Sequence, residues 1–509
     1  MSLLHDKRRP AARKPGELMI GRSRAGTLVT VLLLSVVGGC TVGPDFRPPD
    51  TPVAERYTEA DLPTTTASAD ISGGAEQHLL PGRDIPADWW ELFRSPQINA
   101  LVITAIRDNP SLDAAGDVLR QAHESVLSQR ADFFPSATAT LTYSRIEQPQ
   151  SYEYGARTSE LSYTDYGAHL DLSYAVDFWG ALRRRAEEAR AHLDNERFQL
   201  EAEYLAITAG VVTAAIQTAS LEQQIDAQLM LIGFETRQLE TVRGQFEVGS
   251  ATGADVATQE SEVAQAQMAL QSLRTRRDFA RHQLAAYLGH APVNAEIPRI
   301  DLDSLSLPVD LPVSLPASLV AQRPDIRAAE ALLHEQTAAL GVAIAQRLPN
   351  ISIGTTVGSD AAAPHELFTA TNNLWSLATQ VIQPVFDAGR LEHAQRAQNA
   401  QMMAAAALWR NQVVVAYQNV ADVLTTLQND ALSLRYALTA QQAADRTLKL
   451  ASAQYELGGV SYLSVLTAQQ IYQSTSIALI QAKAARFTDT VLLYQALGGG
   501  WWNRRPRNE

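Results

Sequence analysis

The chain has 509 residues, with 55 acidic and 42 basic side chains and a formal net charge of -13. An acidic chain without a run of Lys or Arg lacks the electrostatic attraction to phosphate that nucleic-acid binding requires, so we expect no nucleic-acid partner. Cys40 is the only cysteine, which excludes a disulfide bond within the chain.

The N-terminus has the composition of an export signal. Basic residues dominate positions 1–39, and the apolar run 28–37 is too short to span a bilayer. The run ends at Gly39-Cys40, which resembles a bacterial lipobox and implies diacylglycerol and an N-acyl chain such as palmitate on Cys40. Thr41 follows in place of Asp, which by resemblance to bacterial sorting signals favours delivery to the outer membrane. The alternative is an ordinary signal peptide that ends near Gly39.

The segment after the signal has little apolar character. Residues 40–88 are rich in Pro, Thr, Ser, Asp and Gly, and we interpret them as a lipid-anchored, extended N-terminal tether with little core. Apolar spacing resumes at Trp89-Trp90. Asn109-Pro110 interrupts it before a helix that runs to about Phe134.

Two halves of the chain repeat one pattern. Gln-Phe-Glu-Val-Gly at 245–249 recurs 209 positions later as Gln-Tyr-Glu-Leu-Gly at 454–458. A repeat unit of this length predicts a pseudo-symmetric body made of two similar halves. We therefore divide the chain into repeat 1 at residues 89–300, a linker at 301–322, repeat 2 at 323–500 and a C-terminal tail at 501–509.

Each repeat contains two segments in which apolar and polar residues alternate, as in a strand with one apolar and one polar face. An outer-membrane barrel and a soluble half-buried sheet both explain such alternation. The lipid anchor and the polar, Tyr- and Asn-rich loops between the segments favour the barrel. The predicted strands are about 136–146 and 164–177 in repeat 1, and about 350–358 and 374–386 in repeat 2.

Helical hairpins are predicted after the strands, at 180–289 and 389–497, with turns at Gly249 and Gly458. No proline interrupts residues 180–248, and apolar side chains recur every seven residues, which predicts supercoiled, laterally packed helices. We find no run of 18 apolar residues after Cys40, so strands must provide any membrane span. One heptad row consists of Leu193, Leu200, Ile207, Ala214 and Leu221.

These elements predict a mainly α-helical chain with a membrane β-barrel. Four strands cannot close a barrel, and an open sheet edge in lipid leaves backbone groups unpaired at a cost of several kcal/mol each. We therefore expect a homotrimer whose twelve strands close one barrel, which the long helices continue as an α-helical barrel. Such a trimer is a conduit from the periplasm to the exterior.

A set of short motifs spans nearly the whole mature chain: Cys40-Thr-Val-Gly-Pro-Asp-Phe46, Trp89-Trp90, Asn109-Pro-Ser-Leu112, Asp177-Phe-Trp-Gly180, Arg323-Pro-Asp-Ile326 and Tyr455-x-x-Gly458. In these motifs and their order the chain resembles the TolC-like outer-membrane efflux proteins, and among them the lipoprotein branch (NodT/OprM type) of resistance-nodulation-division systems. The resemblance implies efflux transport, often with multidrug resistance, through an outer-membrane channel that docks to a periplasmic adaptor and an inner-membrane pump and does no chemistry on its substrate.

The resemblance further implies that the two hairpin tips form an iris-like periplasmic gate. Threefold symmetry would place three Asp255 carboxylates near one axis as a cation-attracting ring. Asp255 could equally be a solvated residue in the first turn of a helix, and Phe246 and Tyr455 could be packing residues. The gate candidates are Phe246, Gly249 and Asp255 in the first tip, and Tyr455, Gly458, Ser464 and Thr467 in the second, where Ser464 and Thr467 replace the family's usual acids.

Enzymatic activity is not expected from this sequence. The ten histidines are scattered without His-x-x-x-His or Cys/His spacing, so we predict no metal site and no cofactor beyond the acyl chains. The glycines at 498–500 lack the strand-to-helix context of a phosphate loop. The alternative function is a periplasmic adaptor lipoprotein, which would also carry an anchor and a coiled-coil hairpin, but normally only one hairpin.

Overall fold

The structure is a computed structural model that describes residues 41–50, 54, 56–59, 63–148, 152–153, 156–157 and 161–504. The predicted signal peptide, Cys40 and parts of the loop between the first two predicted strands lie outside the described residues. The chain divides into two compact units. Of the described residues, those within 135–183 and 348–383 form a sheet unit, and those within 43–134, 184–347 and 384–504 form a helical unit.

Helices dominate the chain, and the same element order occurs twice. The helices are α1 Pro96–Asp108, α2 Pro110–Ala131, α3 Ala181–Glu247, α4 Gly253–Tyr287, α5 Pro316–Gln322, α6 Pro324–Ala345, α7 Arg390–Glu456 and α8 Tyr462–Ala496. The strands are β1 His78–Pro81, β2 Ser136–Gln148, β3 Tyr152–Glu153, β4 Ala156–Arg157, β5 Leu161–Val176, β6 Asp310–Val313, β7 Asn350–Ala361 and β8 Asn373–Ile382. Both long helices, α3 and α7, have 67 residues, and both return helices, α4 and α8, have 35.

Four strands form one antiparallel sheet in the order β2-β5-β7-β8. Strands β2, β5, β7 and β8 lie close to the four predicted strands and differ from them only at their ends. Strand β7 continues to Ala361, beyond the predicted end at 358, and β8 ends at Ile382, short of the predicted 386. A proline at 384 explains the early end, because proline has no amide hydrogen for the ladder.

The register of the sheet gathers its large apolar side chains on one face. Leu170 lies opposite Val357, which lies opposite Trp375, and Leu141 lies opposite Ala168 on the same face. These four large side chains, Leu141, Leu170, Val357 and Trp375, are 44 to 82% exposed. On the opposite face the Thr356 hydroxyl donates to Asp171 at 2.6 Å. The sheet therefore has an exposed apolar face and a polar face, as the alternation predicts.

The helical unit has a large core, and the tether and linker contribute to it. Strand β1 of the tether pairs in parallel with β6 of the linker, and buried side chains include Ile85 and Leu311. Arg486 of α8 is fully buried and donates to the Gln77 side chain at 2.8 Å and the Ala75 carbonyl at 3.1 Å. The expectation that the tether holds little core is wrong for its C-terminal half, because α8 supplies an apolar surface and a guanidinium for its carbonyls.

Among the described residues, α3 is the one helix that is long and apolar enough to cross a membrane. Its most apolar stretch of 18 residues, however, is 72% buried inside the protein. The core helix of a folded domain passes the same test of length and composition. The burial of this stretch therefore accounts for its apolar character.

Candidate gate at the hairpin tips

The two hairpins turn through the same backbone motif. Gly249 has a φ of 74° and donates to the Phe246 carbonyl at 3.0 Å, while Ser250 donates to the Gln245 carbonyl at 2.8 Å. The equivalent bonds after α7 measure 2.9 and 2.8 Å, and Gly458 also has a φ of 74°. This is the Schellman arrangement, in which glycine adopts the left-handed conformation without a Cβ clash and satisfies the last carbonyls of the helix.

Asp255 closes a capping box at the start of α4. One oxygen of its carboxylate accepts hydrogen bonds from the Thr252 backbone amide at 2.8 Å and the Thr252 hydroxyl at 2.7 Å. Its own amide donates to the Thr252 hydroxyl oxygen at 3.3 Å. The backbone hydrogen bond from Thr252 lowers the pKa of Asp255, so the carboxylate is ionised at the helix N-terminus. Asp255 is therefore a capping residue that also presents a fixed negative charge at the first tip.

At the second tip, uncharged residues occupy the positions of the capping box at the start of α8. Ser461 and Ser464 occupy the positions that correspond to Thr252 and Asp255, and their hydroxyls lie 3.1 Å apart. The Thr467 hydroxyl donates to the Leu463 carbonyl at 2.9 Å within α8. The two tips thus differ in charge although their backbones turn alike.

The two aromatic candidates have different surroundings. Phe246 is 50% exposed, so packing within the described residues covers only about half of its side chain. Tyr455 is half-buried: its ring lies 5.6 Å from that of Tyr462, and its hydroxyl donates to the Gln245 side chain at 3.3 Å. Tyr455 therefore connects the second hairpin to the end of α3 in the first.

A buried polar cluster joins the hairpins near their tips. The Glu235 carboxylate of α3 accepts one hydrogen bond from the Gln469 side chain of α8 at 2.7 Å and another from the Gln259 side chain of α4. The Tyr462 hydroxyl in turn donates to Gln259. We call Glu235, Gln259, Gln469 and Tyr462 the Glu235 cluster. Its hydrogen bonds connect one helix of the second hairpin to both helices of the first.

Burial raises the pKa of Glu235 above its usual value, although the hydrogen bond from Gln259 lowers it. Burial and the neighbouring Glu235 also raise the pKa of Tyr462. The sequence-based predictions did not include this cluster, although the heptad pattern contained a signal for it. Seven and fourteen positions after Leu221, the heptad row continues with Gln228 and Glu235. Polar residues in a core row indicate a buried hydrogen-bond network.

A model of the outer membrane efflux protein family matches residues 101–290 and, a second time, residues 315–499. Together the matches cover more than half of the chain. The chain belongs to the outer membrane efflux protein family. Because the two matches correspond to the two halves of this efflux protein, they agree with the internal repeat.

Relatives and solved structures agree with this membership. The pyoverdine export outer membrane protein OpmQ of Pseudomonas aeruginosa is 29% identical over 436 residues, 84% of this chain and 91% of the relative. The toluene efflux pump outer membrane protein TtgC of Pseudomonas putida is 29% identical over 484 residues, which are 92% of this chain and 94% of the relative. The structure of the outer-membrane channel OprN matches with a TM-score of 0.80 at 25% identity, over 91% of this chain and all of that one. This efflux protein is an outer-membrane protein with the fold of these channels, and an adaptor identity is not favoured.

Proposed function

We propose that this efflux protein is the outer-membrane channel of a tripartite pump. Three copies form a twelve-stranded barrel that the helical hairpins extend into the periplasm. Small molecules pass through it unchanged, from an inner-membrane pump of the resistance-nodulation-division type and a periplasmic adaptor to the exterior. Acyl chains on Cys40 anchor each copy in outer-membrane lipid.

The four-stranded sheet is the observation that carries this proposal. Within the described residues, β2 and β8 each pair with one neighbouring strand, which leaves an edge on either side of the sheet. Unpaired backbone groups cost several kcal/mol each in lipid, and pairing β8 of one copy with β2 of the next removes that cost. The exposed apolar face suits lipid, and the polar face suits a hydrated lumen.

The tips support a periplasmic gate as the finer part of the proposal. The Glu235 cluster connects the hairpins of one chain, so separating them requires breaking buried hydrogen bonds. Ionised Asp255 supplies one acidic ring in a trimer, and Ser464 leaves the second tip neutral. We infer a gate with a single acidic ring at its constriction.

The experiment that tests this proposal measures assembly and conductance together. Purified protein should require detergent, have the mass of a trimer by native mass spectrometry, and form ion-conducting channels in planar lipid bilayers. The Cys40→Ala variant, which cannot be acylated, serves as the control for the anchor and should still need detergent. A Cys40→Ala protein that is soluble and monomeric without detergent would contradict the channel assignment.

A further inference from the structure

The helical unit contains a cavity of about 400 Å³ between the two hairpins, next to the Glu235 cluster. Its walls come from α3 on one side and from α7 and α8 on the other, and Gln469 belongs both to the wall and to the cluster. A cavity of this size is within the range of sites that hold one small molecule.

Most of the wall is apolar. Side chains from both hairpins contribute, so a bound molecule would contact the first and second hairpins at once. A well-formed apolar cavity with a few polar groups is the usual form of a small-molecule site. Apolar residues on the wall include Met230, Leu231 and Phe234 of α3, Leu448 of α7, and Tyr472 and Ile477 of α8.

The polar atoms of the wall include acceptors without partners. Gln469 is 2% exposed and donates its amide nitrogen to Glu235, which leaves its carbonyl oxygen without a hydrogen-bond partner in the part of the chain that the structure describes. Gln223 is in the same state: its amide nitrogen donates to Asp303 at 2.8 Å, and its oxygen has no partner there. The Ser476 hydroxyl on the same wall also has no hydrogen-bond partner among the described residues. Buried polar atoms are normally hydrogen-bonded. The Gln469 and Gln223 oxygens can only accept and therefore lack a donor, whereas the Ser476 hydroxyl can donate or accept.

We propose that this cavity binds a small, uncharged amphipathic molecule with an aromatic body and an N–H or O–H donor. The body contacts the apolar walls of both hairpins, and the donor satisfies the Gln469 or Gln223 oxygen. A charged ligand is disfavoured in the buried part of the cavity, because Glu235 already has its partners, Arg237 on the wall is exposed to solvent, and burial of an unpaired charge is costly. Because the ligand contacts both hairpins only when they are together, it stabilises the arrangement in which the Glu235 cluster is formed.

The binding test uses N-phenyl-1-naphthylamine, a fluorescent neutral arylamine, with the purified protein in nanodiscs. Wild-type protein should enhance its emission saturably, with one site per chain. Ser476→Leu fills the cavity from α8 and Ala227→Leu fills it from α3, so each should abolish saturable binding. Ser474→Leu is the matched control, because Ser474 is exposed on the same helix and should leave binding unchanged.

The donor is tested with the N-methylated analogue of the same probe. It keeps the aromatic body but cannot donate, so it should bind about tenfold more weakly, the cost of one unsatisfied buried acceptor. Equal binding by wild type, Ser474→Leu and both filled variants overturns the site, and equal affinity of the two probes overturns the donor.

Binding is independent of the proposed channel, whereas its effect on conductance depends on it. If the gate proposal is correct, saturating N-phenyl-1-naphthylamine should lower the conductance of wild type and of Ser474→Leu but not that of Ser476→Leu. Saturable binding without any change in conductance would keep the site and reject its coupling to the gate. Conducting channels without saturable binding would reject the site and leave the channel assignment intact.

Discussion

At the scale of single residues, Asp255 combines two roles, one structural and one electrostatic. Asp255→Asn keeps an oxygen that can accept from Thr252 but removes the charge, so it should reduce the cation preference of the channel while leaving the fold intact. Ser464→Asp should increase that preference by adding a second acidic ring. The reversal potential in bilayers under a salt gradient measures both. Asp132→Asn, an exposed acid after α2, is the control. Unchanged reversal potentials in both tip variants would reject the assignment of these turns to the gate.

A second residue-scale prediction concerns pH. Burial and the neighbouring Asp430 of α7 raise the pKa of Asp489 to about 8, although Arg486 opposes this. The folded state therefore holds a proton that the unfolded state releases near pH 4, so the free energy of unfolding should fall as pH rises from about 4 to about 8.

Asp489→Asn cannot ionise, so its melting temperature should fall less than that of wild type between pH 5 and pH 8.5. Differential scanning fluorimetry of the detergent-solubilised protein checks this. Asp445→Asn, which alters a carboxylate that pairs with Lys449 on the surface of α7, should follow the wild-type pH profile. An Asp489→Asn profile parallel to wild type would show that the carboxyl does not hold a proton in the folded state.

Residues with an unusual backbone conformation could be predicted from the sequence. Residues whose hydrogen-bond partners are distant in sequence could be predicted less well. Gly249 and Gly458 were predicted as turns because glycine tolerates the left-handed conformation that both adopt. Glu235 was missed, because its row was followed only as far as Leu221. Its partners Gln259 and Gln469 come from other helices, and no local pattern relates them to it.

At the scale of elements, the Glu235 cluster should hold the hairpins together. Glu235→Ala removes the acceptor for the side-chain amides of Gln259 and Gln469, which costs roughly 1 to 3 kcal/mol for each buried donor left unsatisfied. We expect this variant to open the tips and raise single-channel conductance. Glu240→Ala, an exposed change on the same helix, should behave as wild type. Wild-type conductance of Glu235→Ala would show that the cluster does not restrain the gate.

The sheet provides a matched pair of substitutions on opposite faces. Trp375 lies on the exposed apolar face, and the adjacent Ser376 points to the polar face. Trp375→Asp should prevent assembly in the membrane, because a lipid-facing carboxylate is costly, whereas Ser376→Asp should be tolerated in a hydrated lumen. Membrane fractionation and trimer content of the two variants check this. Equal tolerance of both would contradict a lipid-facing apolar face.

Elements were predictable where the local pattern decides them. Uninterrupted heptads and the absence of proline predicted the long helices, and alternation predicted the strands. The tether was predicted less well, since its Thr, Ser and Gly composition gives no sign that Arg486, about 400 positions away in sequence, binds its carbonyls. Such long-range hydrogen bonds have no signature in a local window of sequence.

At the scale of the whole molecule, closure of the barrel depends on the edge strand β2. Neighbouring residues in an antiparallel strand direct their amides to opposite sides, so of Thr140 and Leu141 one donates towards β5 and the other away from it. Proline removes the amide and is tolerated in an edge strand only where that amide bonds to nothing.

Two proline variants of β2 test whether its outer side is paired. If the outer side of β2 is a free edge, one of Thr140→Pro and Leu141→Pro should assemble as wild type does. If that side pairs with β8 of another copy, both substitutions remove a ladder bond and both should reduce the trimer fraction measured by native mass spectrometry. Retention of the wild-type trimer fraction by either variant would therefore argue against closure of the barrel through β2.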